Sequence, residues 1–142
     1  MRVIVAYDGS PGADKAVGFA LGLKDSIDKY FILYVSRDIT DLSGQLVYIS
    51  DETVEQQERL ADEIVNKAKS LMTRSGVDYE VMKVDSNGED ISKVIVKIAQ
   101  EKGIDVIFTG TRKLRGLDKF FLGSISSGIL ALSSCPVIVV PP

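Results

Sequence analysis

Chemistry in this sequence is concentrated in one basic stretch bracketed by glycines. Thr109-Gly110 opens it, Arg112, Lys113, Arg115 and Lys119 populate it, and Gly123-Ser124 closes it where a helix is expected to begin. Between Thr111 and Leu122, four basic residues face one acid, Asp118, a local excess of three positive charges in a chain of net charge −3. Glycine lets a backbone approach a ligand closely. The free N–H groups of a helix's first turn, together with the Ser124 hydroxyl, favour phosphate oxygens. The chemistry this pattern suits is anion binding, with phosphate as the natural anion. The same residues also fit a plain connection, with Gly110 and Gly123 as turn formers, Ser124 as an N-cap and the basic side chains as solvated surface. No Gly-x-Gly-x-x-Gly run and no Gly-Lys-Ser/Thr Walker loop is present, so the standard nucleotide motifs do not decide between the two.

Composition removes other chemistries. The 142 residues contain no histidine, so a Ser-His-Asp triad, a Cys-His pair and a histidine metal site are all excluded. The single cysteine, Cys135, precedes Pro136 at the start of an apolar run and reads as a packed strand residue rather than a nucleophile. One cysteine cannot form an intrachain disulfide, which fits a reducing compartment. With 17 basic and 20 acidic residues, the chain lacks the positive surface expected of a protein that grips long nucleic acid. The apolar run Val3–Tyr7 is too short for a signal-peptide core, and nothing approaches the length of a membrane span. The expectation is one cytoplasmic domain over residues 1–142, with no nucleic-acid or membrane partner and neither a catalytic nor a metal-ligating set of side chains.

The elements that must position the basic stretch alternate between strand and helix periods. Val3–Tyr7 is a short apolar run ending at Asp8-Gly9, as in a strand buried on both faces. Ser10-Pro11 reads as an N-cap with proline at the first helical position, followed by Ala13, Ala16, Val17, Ala20 and Leu21 at helical spacing. Tyr30–Val35 is a second strand. Ser36–Ser50 has no period and reads as a long loop, either a lid or partner surface or an ordinary variable surface connection. From Asp51 a long helix is expected to turn Val54, Leu60, Ala61, Ile64, Val65, Ala68 and Met72 to one side. Its solvated side should pair Glu55 with Arg59 and Glu63 with Lys67, and Gly76 should close it. Tyr79–Val84 alternates like an edge strand. Residues 87–90 cap a helix carrying Ile91, Val94, Ile95, Ile98 and Ala99, stopped at Gly103. Asp105–Thr109 is a fourth strand, residues 124–132 a short helix, and Pro136–Val140 a last strand. Such alternation implies right-handed crossovers and a doubly wound parallel α/β sheet with helices on both faces. Ligands in such sheets bind outside the carboxyl ends of the strands, where the strand order switches.

The residues also carry a family resemblance. Thr109-Gly110-Thr111-Arg112-Lys113, Gly123-Ser124-Ile125-Ser126 and Ser134-Cys135-Pro136 through Pro141 resemble the end of a universal stress protein, and Val3 through Ser10 resembles that family's first strand and Asp-Gly-Ser turn. The resemblance implies a Rossmann-like five-stranded sheet in order 3-2-1-4-5, usually dimeric, often with ATP at the switch point. ATP-binding members resemble Gly-x-x-Gly-x9-Gly-Ser/Thr. This chain supplies Gly110, nine residues from Leu114 to Leu122, and Gly123-Ser124, but has Lys113 where the family has its middle glycine. A lysine there brings a Cβ that could crowd phosphates and a cation that could bind them. By resemblance, Asp8 lies near the nucleoside and Val35 gives a backbone contact near adenine. Thr109, Gly110, Gly123, Ser124 and Ile125 line the phosphates, and Arg112 or Lys113 adds charge. A divalent ion such as Mg²⁺ would accompany a triphosphate.

Val137–Val140 would be an apolar edge strand, an aggregation hazard unless paired. The resemblance implies pairing with its copy across a two-fold axis. The expectation is therefore a homodimeric regulatory protein of stress physiology that binds ATP or a related adenine nucleotide and meets a protein partner. The alternatives are a nucleotide-free dimeric interaction protein and a slow ATPase, for which no residue placed to orient water can be named.

Overall fold

The innermost strand shows why the sheet forms. In β1 (Arg2–Ala6), Val3, Ile4 and Val5 are all fully buried, so apolar side chains leave the strand on both faces and both must be covered. The computed structural model describes residues 1–37, 50–113 and 120–142. In chain order it contains β1, α1 (Pro11–Leu21), β2 (Lys29–Ser36), α2 (Asp51–Met72), β3 (Tyr79–Asp85), α3 (Ile91–Glu101) and β4 (Val106–Gly110). A short ribbon of β5 (Arg112–Lys113) and β6 (Phe120–Phe121), then α4 (Ser124–Leu132) and β7 (Val137–Val140), complete it.

The main sheet has five strands in the order β3-β2-β1-β4-β7, every pair parallel. Counted along the chain within this sheet, that is 3-2-1-4-5, as the resemblance implies. Side-chain alternation sorts the core into two layers. Val3 and Val5 pack with Ala13, Ala16, Val17 and Ala20 of α1 and Ala68 and Met72 of α2. Ile4 points the other way, with Phe31 and Leu33, against Val94, Ile95 and Ala99 of α3 and Ile129 of α4. Each fully buried Val, Ile or Leu contributes about 1.5–3 kcal/mol relative to exposure.

Local signals set the helix starts. The Ser10 side chain accepts from the Ala13 N–H at 3.2 Å ahead of Pro11, and the Asp90 carboxylate accepts from the Ser92 N–H at 2.9 Å. Gly103, at φ +62°, stops α3 as expected.

Four expectations need correction. Gly76 has φ +72° but does not close α2, which ends at Met72 with Thr73 as C-cap. The exit is held instead by Ser75, whose amide and hydroxyl both donate to the Met72 carbonyl. Val54 and Leu60 do not join the packed face and are 39% and 54% exposed, because the whole run from 51 to 60 stands clear of the sheet among the described residues. Glu55 pairs with Arg59 at 3.7 Å, but Lys67 leaves Glu63 for Asp14 on α1. The ends of the basic connection form the β5–β6 ribbon rather than an irregular loop. The long connection expected over Ser36–Ser50 falls, for residues 38–49, outside the described residues.

Candidate functional site

Strand order reverses between β1 and β4, so the chain after β1 runs to one face and the chain after β4 to the other, the arrangement that in open α/β sheets leaves a crevice past the strands' carboxyl ends. The first wall is the turn after β1. Gly9 takes φ +80°, a left-handed conformation that disfavours any side chain. That turn lets the Asp8 carboxylate accept from the Ser10 N–H at 3.0 Å and receive the Arg112 guanidinium at 3.2 Å. Burial pushes the Asp8 carboxyl up, but the bonds to Ser10 and the ion pair with Arg112 outweigh it and hold the group below the ordinary carboxylate value. Arg112 is therefore not a free cation: it is tied to the acid expected beside the nucleoside.

The second wall is the end of β2. The Tyr7 N–H bonds the Leu33 carbonyl, and the Ser36 carbonyl accepts from Ser86 on the β3 side. Parallel strands direct successive residues' main-chain groups to alternate sides, so Val35 directs its N–H and C=O toward β1. The paired register stops at Ala6 opposite Leu33, leaving no strand residue opposite Val35 on that side. Its side chain is buried, so only its backbone can serve a ligand.

The third wall joins β4 to α4. Gly123 is the N-cap and Ser124 the first helical residue, so Ser124 is not the capping residue that the plain reading assigned. No side chain caps this helix, and the first intrahelical bond runs from the Ser127 N–H to the Gly123 carbonyl at 3.0 Å. The amides of Ser124, Ile125 and Ser126 precede that first bond and form a donor set suited to an anion. A Cβ added at Gly123 would meet nothing within 4 Å.

Thr109 and Gly110 serve this wall from behind. The Thr109 side chain is buried, with its hydroxyl 3.0 Å from that of Ser126. Ser126 in turn donates to the Gly110 carbonyl at 3.1 Å. A Cβ on Gly110 would overlap the Gly12 carbonyl, and one on Gly12 would overlap the Thr111 carbonyl. Gly110 is thus required by close contact between β4 and the first turn of α1. Thr111 adds a lock to the edge strand, donating from both amide and hydroxyl to the Val140 carbonyl at 3.1 Å.

Lys113 sits in the ribbon opposite Phe120, an extended pairing that any residue adopts, so the backbone there does not demand the family's glycine. Its side chain, like the segment 114–119 with Arg115 and Lys119, lies outside what the structure describes.

Sequence reasoning missed Gly12, Ser126 and a network behind the first wall. The Tyr7 hydroxyl donates to Asp14 at 2.7 Å. Lys67 donates to Asp14 and to the Gly9 carbonyl, both at 2.8 Å. Burial first, and the bond to Asp14 second, raise the Tyr7 phenol far above its ordinary value. Ser126 stood within the Gly123–Ser126 run and was legible as a polar residue in a helix's first turn. The Gly12 contact had no local signal beyond a glycine placed, unusually, right after the helix-starting proline.

The strand order and helix placement define a doubly wound α/β protein, and sequence comparison places it more narrowly. The chain belongs to the universal stress protein family, whose profile matches residues 1–141. Universal stress protein YxiE of Bacillus subtilis (strain 168) is 32% identical over 147 residues, spanning 98% of this chain and 97% of that protein. Among solved structures, a family member from Burkholderia pseudomallei matches with TM-score 0.76 and 24% identity, covering 99% of this chain and 96% of that one. The Archaeoglobus fulgidus universal stress protein in complex with dAMP gives 0.70 and 20%, with 99% and 97% covered. A universal stress protein family protein from Arabidopsis thaliana with AMP bound gives 0.66 and 19%, with 99% and 90% covered. At these identities the solved structures speak for the fold.

Proposed function

We propose that this chain binds ATP or a related adenine nucleotide in the crevice past β1 and β4 and acts as a homodimeric regulatory protein. The observation that carries the reading is convergence. The Asp8 carboxylate follows β1, the unopposed main-chain groups of Val35 end β2, and the first-turn amides of α4 are tied to the end of β4 through Ser126, so all three stand at the carboxyl end of the sheet. A carboxylate suits ribose hydroxyls, a strand's free N–H and C=O suit the edge of a purine, and helix-terminal amides suit phosphate. That solved relatives hold dAMP and AMP supports the same ligand class.

Arg112 would exchange Asp8 for the phosphates when a nucleotide enters, and Gly123 leaves the approach to the α4 amides open. Among the described residues, no three acidic or cysteine side chains gather into a cation site. A Mg²⁺ ion would therefore arrive on the triphosphate and be held by its oxygens and water rather than by a protein cage.

The dimer follows from the edge. β7 bonds β4 on one side, and by the same alternation Val137 and Val139 turn their main-chain groups outward. Pairing with a second copy satisfies them. Exposed Leu130 and Leu132 on α4, which packs on β7, and Phe19 on α1, which also packs on β7, extend the apolar rim.

Calorimetric titration of nucleotide-stripped protein with Mg-ATP is the test. Micromolar or tighter binding at about one site per chain is expected. Absence of heat together with absence of a thermal shift would leave a nucleotide-free interaction protein whose Gly110 is kept by packing alone.

A further inference from the structure

Behind the first wall of the crevice, α2 presses on the β1–α1 turn with two side chains one helical turn apart. Ile64 fills the space beside Gly9, where an added Cβ would stand 3.2 Å from its Cγ1. Lys67 reaches past it and donates 2.8 Å bonds to the Gly9 carbonyl and to the Asp14 carboxylate. Asp14 is fixed from its other oxygen by the Tyr7 hydroxyl at 2.7 Å, and Tyr7 is the buried residue immediately before Asp8. One ammonium thus grips both ends of the turn: the carbonyl directly after Asp8, and the helix that the turn leads into.

We infer that Lys67 is a positioning residue for the crevice: by holding the Gly9 carbonyl and Asp14 together it fixes the turn that aims Asp8 at Ser10 and Arg112. This rests on the nucleotide reading only where Asp8 is said to serve a ligand; the positioning itself is a property of the free protein. The chemistry matches the task. Gly9 has a backbone free to relax, since glycine alone moves readily between left-handed and right-handed conformations, and a charge-assisted bond to its carbonyl is the direct way to hold it. Gly9 also occupies the position where α2 meets the site. Through Lys67, a displacement of α2, whose first ten residues stand exposed, would be felt at Asp8.

The groups that act on Asp8 are Ser10, through its side chain and its amide, and Arg112, while the Asp8 charge is felt by the phenols of Tyr7 and Tyr34. Lys67 makes its bonds to the Gly9 carbonyl and Asp14, on either side of the turn. Because Lys67→Met also removes a positive charge, the titration is repeated at high salt, where a long-range charge effect is screened and a displaced Asp8 hydrogen bond is not.

The experiment is carboxyl-carbon NMR titration of Asp8 in the nucleotide-free protein for wild type, Lys67→Met, Lys67→Arg and Lys83→Met. Lys83 on β3 bridges α2 through Asp62 at 3.4 Å and makes no bond to the turn, so it controls for loss of an α2 ion pair. In Lys67→Met the Asp8 midpoint should rise toward the ordinary value of about 3.9; in Lys67→Arg and Lys83→Met it should stay depressed. If Lys67→Met does not fold, Lys67→Gln gives the same reading, with the rise expected. An Asp8 midpoint unmoved in the folded Lys67 variant, or moved equally by Lys83→Met, overturns the inference. Mg-ATP titration of the same proteins separates it from the nucleotide reading. Several-fold weaker binding in Lys67→Met alone supports both. An Asp8 shift in Lys67→Met, when wild type itself binds no nucleotide, sinks only the nucleotide reading.

Discussion

Gly110 and Gly123 bracket the same basic stretch and look interchangeable in sequence, yet they stand in opposite surroundings. Gly110 is jammed against the Gly12 carbonyl, and no side chain fits. Gly123 opens on empty space at the head of α4. One glycine is kept for the fold, and the other, on the nucleotide reading proposed above, leaves room for a ligand. A motif that unites them is thus a compound of two physical demands, and a chain can meet the first without the second.

The largest effect should come from Gly110→Ala. Its new methyl meets main chain rather than a flexible side chain, so α1 must move off β4 at a cost of about 3 kcal/mol. Chemical denaturation checks this, and stability within a few tenths of wild type would show that the contact yields easily. Gly12→Ala probes the reciprocal contact and should destabilise comparably. Thr109→Val keeps the shape but removes the hydroxyl that meets Ser126 in the buried joint between β4 and α4, with an expected loss of about 1 kcal/mol. Gly123→Ala should cost about 0.5–1 kcal/mol, since alanine is a poorer N-cap than glycine, while weakening nucleotide binding measurably. Equal losses of stability for Gly110→Ala and Gly123→Ala would erase the distinction between them.

The smallest effect is electrostatic. Asp8 is held below its ordinary carboxylate value by Ser10 and Arg112 against the push of burial. A depressed carboxylate contributes stability that is fully present above its unfolded value of about 3.9 and is lost as pH falls through the lower folded value. Asp8→Asn should lower the melting temperature slightly near neutral pH, flatten the acid limb, and converge on wild type as pH falls well below about 4. An unchanged acid limb would mean that the Asp8–Arg112 pair has no weight in the folded protein.

Much of the fold was legible because its signals are local. The apolar runs at Val3–Val5 and Val106–Phe108 mark buried strands, and Ser10-Pro11 and Asp90 cap helices through bonds to residues two or three positions away. The candidate site divided along the same line. Asp8 at a strand end and the Gly123–Ser126 head of α4 could be found from their neighbours. The closure of Gly12 on Gly110 could not, since it joins residues far apart in the chain and leaves no pattern at either.

Lys67 shows the limit differently. Helical spacing offered it Glu63, an exposed pairing worth little in water, while the fold offered Asp14 and a backbone carbonyl at the edge of the core. Tertiary geometry decided. The packed face of α2 was overread for a related reason. Val54 and Leu60 have the period of a buried stripe, but the sheet that covers Ala61, Ala68 and Met72 does not extend to them.

The central claim, that one crevice brings together Asp8, the Val35 backbone and the head of α4 for an adenine nucleotide, is tested most directly by following backbone amide resonances as AMP and then Mg-ATP are added. The expected result is a compact set of shifts at Asp8, Val35 and Ser124–Ser126, with the α4 amides moving further for the triphosphate. Shifts confined to residues elsewhere, such as the opposite pole around Arg2, Lys29 and Lys102, or no shifts at millimolar nucleotide, would contradict it.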